Sequence, residues 1–175
     1  MSERELYQDA LEVRILTAIV AREARQDIEG RLKAYGFEMT ALQYRVLRQL
    51  QQDGQLTIRE LSRSCMVEPA TLVPVIDTLE RHGIIRRGQD PHDRRRTPIE
   101  LTEQGLEQLR AIPFEHDDDV IVRYLRQLPD EDRRAFVHYL RELVTMLHGD
   151  DAAVRRITQA VESHFSFGEQ QASKG

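Results

Sequence analysis

Apolar positions in the first fifth of the chain recur at helical spacing. Over residues 5–35, which lack proline, they form a broad stripe and predict one long helix. Its apolar members are Leu6, Ala10, Leu11, Val13, Ile15, Leu16, Ile19, Val20, Ile28, Leu32 and Tyr35. At about 1.5 Å per residue this helix is roughly 45 Å long, more than one small domain covers. Two interpretations are open: the helix lies across its own core, or it shares its apolar face with a second chain. We favour the second.

Three shorter helices are predicted next, each with a recognisable start. Thr40 and Thr57 each stand three residues before a Gln or Glu, which is the pattern of a capping box. Pro69 suits the first turn of a helix, where its missing N–H costs nothing. The third of these helices should end near His82, because Gly83 can adopt a positive φ.

A hairpin is predicted after these helices. Residues 84–87 and 98–101 have the composition of two short strands, and residues 88–97 between them are polar and rich in turn formers. Three helices followed by a two-stranded hairpin is the plan of a winged helix-turn-helix. We therefore expect a mainly α fold with a small β-hairpin wing and long terminal helices.

The last part of the chain is predicted to be helical again. Thr102 should cap a fifth helix, with Pro113 as a candidate interruption. Pro129 and the acids behind it open a sixth, since acidic residues suit the first turn of a helix. The apolar stripe of the sixth helix consists of Phe136, Tyr139, Leu140, Leu143 and Leu147. A last helix is predicted over residues 152–165.

These elements predict four regions. Residues 1–39 form an N-terminal dimerisation helix, and residues 40–105 form the winged helix-turn-helix. Residues 106–166 supply C-terminal dimerisation helices, and residues 167–175 are a small, polar tail that should be frayed.

Composition narrows the function classes. The chain has 175 residues, a formal net charge of −5 and one cysteine, so an internal disulfide is excluded and a reducing, cytoplasmic location is expected. The sequence contains no run of about 18 apolar residues, so no membrane span is expected. The charged N-terminus is unlike a signal peptide. No residue pattern for a cofactor, a metal or an enzyme active site stands out.

The positive charge is concentrated although the chain is acidic overall. Of the basic residues, 23 are arginine and two are lysine. Residues 81–96 hold six arginines and two acids, and residues 40–100 hold ten arginines and eight acids. The chain therefore has a small basic patch on an otherwise acidic protein. Arginine is suited to such a patch because its guanidinium makes forked contacts with phosphates and bases.

The second helix of a helix-turn-helix enters the major groove of DNA with its N-terminal residues. The outward candidates here are Ala70, Thr71 and Val73, whose small apolar groups can meet thymine methyls. The hydroxyl of Thr71 can also form a hydrogen bond with a base or a phosphate. Alternatively, a threonine at the start of a helix can use its hydroxyl for a hydrogen bond with the backbone of that helix. Arg81, near the other end of that helix, is a candidate phosphate contact.

The hairpin tip supplies the other candidate contacts with DNA, namely Asp93, Arg94, Arg95 and Arg96. Consecutive arginines repel one another, so they need solvent or an anionic partner. A narrow A·T-rich minor groove attracts inserted arginine, and Asp93 is close enough in sequence to orient Arg95. The alternative is a solvated run of charge. We favour DNA contact because the run follows a helix-turn-helix pattern.

Residues 40–105 resemble the MarR family of bacterial transcriptional regulators. The resemblance rests on Leu-Thr-Ile-Arg-Glu-Leu at 56–61, Ile-Asp-Thr-Leu-Glu-Arg-His-Gly-Ile-Ile-Arg-Arg at 76–87, Asp-Pro-His-Asp-Arg-Arg at 90–95 and Leu-Thr-Glu-Gln-Gly at 101–105. It implies a homodimer with interlocked terminal helices, bound to double-stranded DNA at a pseudo-palindromic operator. It also implies that Arg95 enters the minor groove with Asp93 as its orienting partner.

The resemblance further implies a repressor released by a small-molecule effector, often phenolic, that binds between the dimerisation and DNA-binding regions. Tyr44 lies near that cleft by analogy with the family, as either a ligand contact or a packed core aromatic. Cys65 is interpreted as a small buried hydrophobe and not as a redox centre. The acidic residues 115–119 are interpreted as a solvated turn and not as a metal site.

Two functions remain in view. The first is a sequence-specific DNA-binding transcriptional regulator. The alternative is a winged-helix protein-interaction module without DNA binding, which is motivated by Pro74 in place of a polar groove contact and by the lack of basic residues in the first turns of that helix.

Overall fold

A computed structural model describes residues 2–89, 96–112, 119–155, 157–159 and 161. It confirms the predicted class: a mostly helical chain with one two-stranded antiparallel hairpin. The elements are α1 (Glu3–Ala34), α2 (Ala41–Asp53), α3 (Ile58–Cys65), α4 (Pro69–Arg81), β1 (Ile85–Arg87), β2 (Ile99–Leu101), α5 (Glu103–Ala111), α6 (Val120–Leu125) and α7 (Asp130–His148).

The predicted helix starts are confirmed at atomic detail. The hydroxyls of Thr40 and Thr57 accept hydrogen bonds from the backbone N–H three residues on. The side chains of Gln43 and Glu60 in turn accept hydrogen bonds from the backbone N–H of Thr40 and Thr57. Each capping box satisfies two otherwise unpaired donors. The left-handed turn predicted after α4 is also present, with Gly83 at a φ of +70°.

The wing is broader than predicted. β1 and β2 pair with Arg86 opposite Glu100, and Leu56 forms a further antiparallel bridge with Ile99. The Leu56 N–H donates to the Ile99 carbonyl over 3.0 Å, and the Ile99 N–H donates back over 2.8 Å. The segment between α2 and α3 therefore ties the hairpin to the helix-turn-helix.

In the part of the chain that the structure describes, the main core lies between α2, α3, α4 and the hairpin, and it reaches α5. Its fully buried large side chains are Val46, Leu47, Leu61, Cys65, Leu72, Ile76, Ile85, Ile99 and Leu109. Leu32, at the carboxyl end of α1, joins the same cluster. The end of α1 is thereby fastened to the winged helix-turn-helix, while the division into four regions stays a prediction.

The wing is locked onto the start of α5 through Thr102. Its backbone N–H donates to the Ile84 carbonyl over 3.0 Å, and its hydroxyl donates to the Gly83 carbonyl over 2.6 Å. The same hydroxyl accepts the N–H of Gly105 over 3.1 Å. A Cβ on Gly105 would lie 2.2 Å from the Ile84 carbonyl oxygen. Only glycine allows the backbone of α5 to approach the chain this closely.

The apolar stripes of the terminal helices are uncovered in the single chain. On α1, all of Leu6, Leu11, Val13, Ile15, Leu16, Ile19 and Val20 are exposed, and on α7 so are Phe136, Tyr139, Leu140, Leu143, Met146 and Leu147. Two stripes of this size exceed the scattered apolar residues of an ordinary surface. The described part of α1 therefore does not lie across its own core except at its carboxyl end.

The region after α5 differs from the prediction. α5 ends at Ala111, and a separate short helix, α6, follows at Val120–Leu125. Its start is capped by Asp119, whose Oδ1 accepts the N–H groups of Ile121 and Val122. The expected interruption at Pro113 and the tail 167–175 lie outside the described residues. The predicted last helix is helical at residues 152–155 and 157–159. No helix in the described ranges is long and apolar enough to cross a membrane.

Candidate nucleic-acid interface

The first two turns of α4 present the side chains predicted to face outward. Ala70, Thr71 and Val73 are exposed, whereas Leu72 and Ile76 are completely buried on the opposite side. This separation follows from the helical spacing of the apolar residues, because the core contains one face of α4 and leaves the other free. That these three side chains contact DNA stays a prediction.

Arg81 lies at the far end of the same helix and is exposed. Its Nη2 lies 3.5 Å from the hydroxyl oxygen of Thr78, at the limit of a hydrogen bond. The guanidinium is therefore held only weakly and remains accessible to an anion. Its proposed role as a phosphate contact stays a prediction.

The wing residues are only partly described. Asp93, Arg94 and Arg95 lie outside the described residues, so their predicted roles remain predictions. Arg96 is described, and its Nη2 lies 2.9 Å from Oε1 of Glu60 on α3. This ion pair joins the end of the hairpin loop to the helix-turn-helix.

The basic patch is smaller than the charge count of residues 81–96 implies. Arg87 pairs with Asp77 over 2.6 Å and also with Glu80, both on α4. Hydrogen bonds and charge from these two carboxylates raise the pKa of Arg87 above its usual range. Arg86 pairs with Glu100 on the neighbouring strand. Arg87 fastens the hairpin to α4, Arg86 links the two strands of the hairpin, and the charge of both arginines is largely balanced.

A test of the Arg96–Glu60 pair follows from its geometry. Glu60→Gln keeps an acceptor for the capping box and removes the charge, so we expect the free energy of unfolding near neutral pH to fall by about 1 kcal/mol or less. Hydrogen bonds from the backbone N–H and hydroxyl of Thr57, with a smaller effect of Arg96, lower the pKa of Glu60. Its charge therefore stabilises the fold above the ordinary pKa of a glutamate, and this stabilisation is lost as the pH falls through the lowered value.

Urea unfolding of the wild type and the variant at about pH 7 and about pH 3 measures this difference. The difference should be present at the higher pH and smaller at the lower one. Glu107→Gln, the same change at an exposed position of α5, is the matched control and should alter neither value. Equal stability of Glu60→Gln and wild type near pH 7 would show that the pair contributes nothing.

Tyr44 is a core residue of α2. It is 9% exposed and belongs to the central cluster. Its hydroxyl oxygen accepts a hydrogen bond from Nε of Arg48 over 2.8 Å, and Nη1 of Arg48 donates to Gln51 over 2.9 Å. The packed interpretation fits this environment, and a role in ligand binding stays a prediction.

A polar cluster joins α1 to the start of α6. Nη2 of Arg31 lies 2.9 Å from Oδ2 of Asp119, and Nε of Arg31 lies 3.0 Å from Oδ2 of Asp27. The side chain of Asp119 is only 21% exposed, so the prediction of a solvated turn is wrong for this residue, while residues 115–118 of that prediction lie outside the described residues. The helix-capping role of Asp119 could be suspected from its place before an apolar run, but its pairing with Arg31 could not.

Cys65 is completely buried in the core. Burial raises the pKa of its thiol, although the charge and hydrogen bond of Arg45 act in the opposite direction. A thiol of this kind is a poor nucleophile because little thiolate forms. Among the described residues, no group of three or more His, Cys, Asp or Glu side chains is arranged to hold a metal ion.

Comparisons with known proteins agree with this architecture. The model of the MarR family matches residues 39–97. Transcriptional regulator HosA of Escherichia coli O111:H- is 28% identical over 107 residues, which are 61% of this chain and 78% of HosA. Among solved structures, the S. aureus MepR–DNA complex matches with a TM-score of 0.67 and 26% identity, over 76% of this chain and 96% of MepR. PcaV from Streptomyces coelicolor, in complex with its natural ligand, matches with a TM-score of 0.57 and 25% identity, over 71% of this chain and 89% of PcaV.

Proposed function

Because residues 39–97 match the model of the MarR family, we propose that this chain is a MarR-family protein, a sequence-specific DNA-binding transcriptional regulator that acts as a homodimer. The observation that carries the proposal is the exposed start of α4 beside a hairpin that Arg87 fastens to the same helix. A helix for the major groove and a wing for the adjacent groove are thus held as one unit. The similarity to MepR, which was solved in complex with DNA, supports the same use of this unit here.

The homodimer is supported by the apolar stripes of α1 and α7. They are exposed in the single chain although their spacing is that of a buried face. A second copy of the chain offers the same stripes and covers them by symmetry. Two α4 helices in one dimer would then enter successive major grooves, about 34 Å apart, of a pseudo-palindromic operator.

The regulator is further proposed to be a repressor that a small molecule releases from DNA. The similarity to PcaV, solved with its natural ligand, supports an effector site in this fold. The ligand is proposed to be a small, phenolic compound that binds between the dimerisation helices and the DNA-binding region, where Tyr44 is the candidate contact. A thermal-shift screen with phenolic acids tests this part, because a ligand of the native dimer raises its apparent stability.

The experiment that tests DNA binding compares wild type with Arg95→Ala on duplexes from the region upstream of the chain's own gene. We expect saturable, sub-micromolar binding by the wild type that weakens steeply with salt, since phosphate contacts release counterions. Arg95→Ala should weaken binding by about 1–3 kcal/mol, which is roughly 5- to 150-fold. Fluorescence anisotropy at several salt concentrations measures both effects.

The control for this experiment is Arg110→Ala, which removes an exposed arginine of α5, outside α4 and the hairpin. Its dissociation constant should match that of the wild type. An unchanged affinity of Arg95→Ala would reject the wing assignment. Absence of saturable binding by the wild type would reject the regulator and favour a protein-interaction module.

A further inference from the structure

The face of α4 that the fold leaves free has an unusual chemistry over its first two turns. Ala70, Thr71, Val73 and Pro74 are all exposed there, and Val73 is 42% exposed. None of them carries an amide, a guanidinium or an ammonium group. The first charged side chain along this face is Asp77, which is engaged by Arg87 over 2.6 Å.

Side chains of this kind cannot make the paired hydrogen bonds by which proteins usually distinguish bases. Guanine is recognised in the major groove by Arg or Lys, and adenine by Asn or Gln. Ala, Val and the methyl group of Thr instead complement the C5-methyl group of thymine, which only A·T pairs present in that groove. Pro74 adds a further hydrocarbon surface and, having no N–H, offers no donor to a base.

Charge on either side restricts this face further. Glu68 precedes α4 and is exposed, so its carboxylate disfavours a phosphate at the start of the helix. Positive charge lies at the other end, at Arg81, and in the sequence between β1 and β2, at Arg94 and Arg95. The backbone of the DNA is thus attracted to the edges of the interface, and the middle of it is left to apolar contact.

From this arrangement we infer that the chain recognises its operator by van der Waals contact between the first two turns of α4 and thymine methyl groups. Val73 is the central specificity-determining residue, with Ala70, Thr71 and Pro74 around it. Each operator half-site accordingly carries thymine at the one or two major-groove positions that face Val73. The inference rests on the proposed function, and it specifies how the same interface selects its sequence.

The test uses the duplex that the full-length chain enriches from random duplexes of about 30 base pairs, long enough for two half-sites one helical turn apart. Each thymine of that duplex is replaced in turn by deoxyuridine, which removes only the C5-methyl group and leaves base pairing intact. For the wild type, we expect the dissociation constant to rise about fourfold at one or two thymines per half-site. The other thymines should have no effect.

Two variants test whether the weaker binding to deoxyuridine duplexes arises from contacts with α4. Val73→Ala should bind the thymine and deoxyuridine duplexes almost equally at the sensitive position, since the contacting methyl groups are gone. Thr71→Val keeps the methyl surface without the hydroxyl, and deoxyuridine at the sensitive position should weaken its binding by the same factor as for the wild type. Val73 and Thr71 are exposed, so both variants should retain the wild-type melting temperature.

The outcomes separate this inference from the function on which it rests. If the wild type binds its selected duplex tightly and no deoxyuridine weakens binding, the inference is wrong and the regulator stands. If Thr71→Val loses binding while deoxyuridine has no effect, the hydroxyl of Thr71 reads the sequence and the inference is also wrong. If no duplex is enriched at all, the proposed function and the inference fail together.

Discussion

Replacing Gly105 by alanine is expected to lower the free energy of unfolding by about 3 kcal/mol or more. The new Cβ would lie 2.2 Å from the carbonyl oxygen of Ile84 and 3.1 Å from Cδ2 of Leu101. A contact with a backbone atom at this distance cannot be relieved by rotating a side chain. Either α5 moves away from the wing or the strand shifts, and overpacking of this type costs about 1–3 kcal/mol, occasionally more.

The movement would also weaken the hydrogen bonds at Thr102. Its hydroxyl links the Gly105 N–H to the Gly83 carbonyl over 3.1 and 2.6 Å. Separating α5 from the wing stretches both hydrogen bonds at once. The free energy of unfolding therefore falls by more than the steric contact alone would cause. Thermal unfolding followed by circular dichroism should show a midpoint lowered by about 6–12 °C for a chain of this size.

Gly30→Ala is the matched control for this prediction. Gly30 lies within the helix α1, and an added Cβ there meets no atom within 4 Å. Alanine in a helix interior is favoured over glycine by about 0.5–1 kcal/mol, so this variant should be as stable as the wild type or more so. A Gly105→Ala variant that unfolds at the wild-type temperature would contradict the close approach described here.

Leu16→Glu is expected to convert the homodimer into a monomer. Leu16 is exposed in the single chain and lies in the middle of the apolar stripe of α1. In a dimer that covers this stripe, two carboxylates per assembly would lose their hydration, and two buried leucine side chains would be lost. We expect the dissociation constant of the dimer to rise by about a thousandfold or more, which is roughly 4 kcal/mol.

Sedimentation velocity at micromolar protein should then give the mass of one chain in place of two. Operator affinity should fall with it, because a monomer engages one half-site and loses the simultaneous contact with the second. Circular dichroism should show that the helices are retained, since Leu16 is outside the core of the single chain.

Ala21→Glu adds the same charge at another exposed position of α1 and provides the control. At 100° per residue, position 21 lies about 140° from position 16, and no residue three or four positions away from it belongs to the apolar stripe. This variant should remain a dimer and bind its operator as the wild type does. A dimeric Leu16→Glu protein would show that the stripe of α1 is not the interface.

Much of the secondary structure could be predicted because its signals are local. The capping boxes at Thr40 and Thr57, Pro69 at the start of α4 and Gly83 at its end each act within four residues of the chain. The outward position of Ala70, Thr71 and Val73 follows in the same way, from helical periodicity alone. α6 was not predicted, because a helix of six residues has too few turns to show an apolar period.

The functional arrangement depends on contacts between distant residues, and these could not be predicted. Arg96 meets Glu60 across 36 positions and Arg31 meets Asp119 across 88. The count of arginines in residues 81–96 overstated the available charge of the hairpin, because Arg86 and Arg87 are paired with carboxylates. Charge counted along a sequence takes no account of which carboxylates the fold brings near.

By itself, the sequence determined the helices, the hairpin, the apolar stripes and the composition of the face that α4 presents, since each depends on neighbours one or two turns away. Only the tertiary structure decided that the stripe of α1 is uncovered over most of its length, that Leu56 adds a bridge to the wing, and that Gly105 must be glycine. The physical reason is the same in each case. Whether a helix face is covered, which strands pair and how closely two backbones approach all depend on segments that are distant in sequence. These segments meet only when the core of the folded chain brings them together.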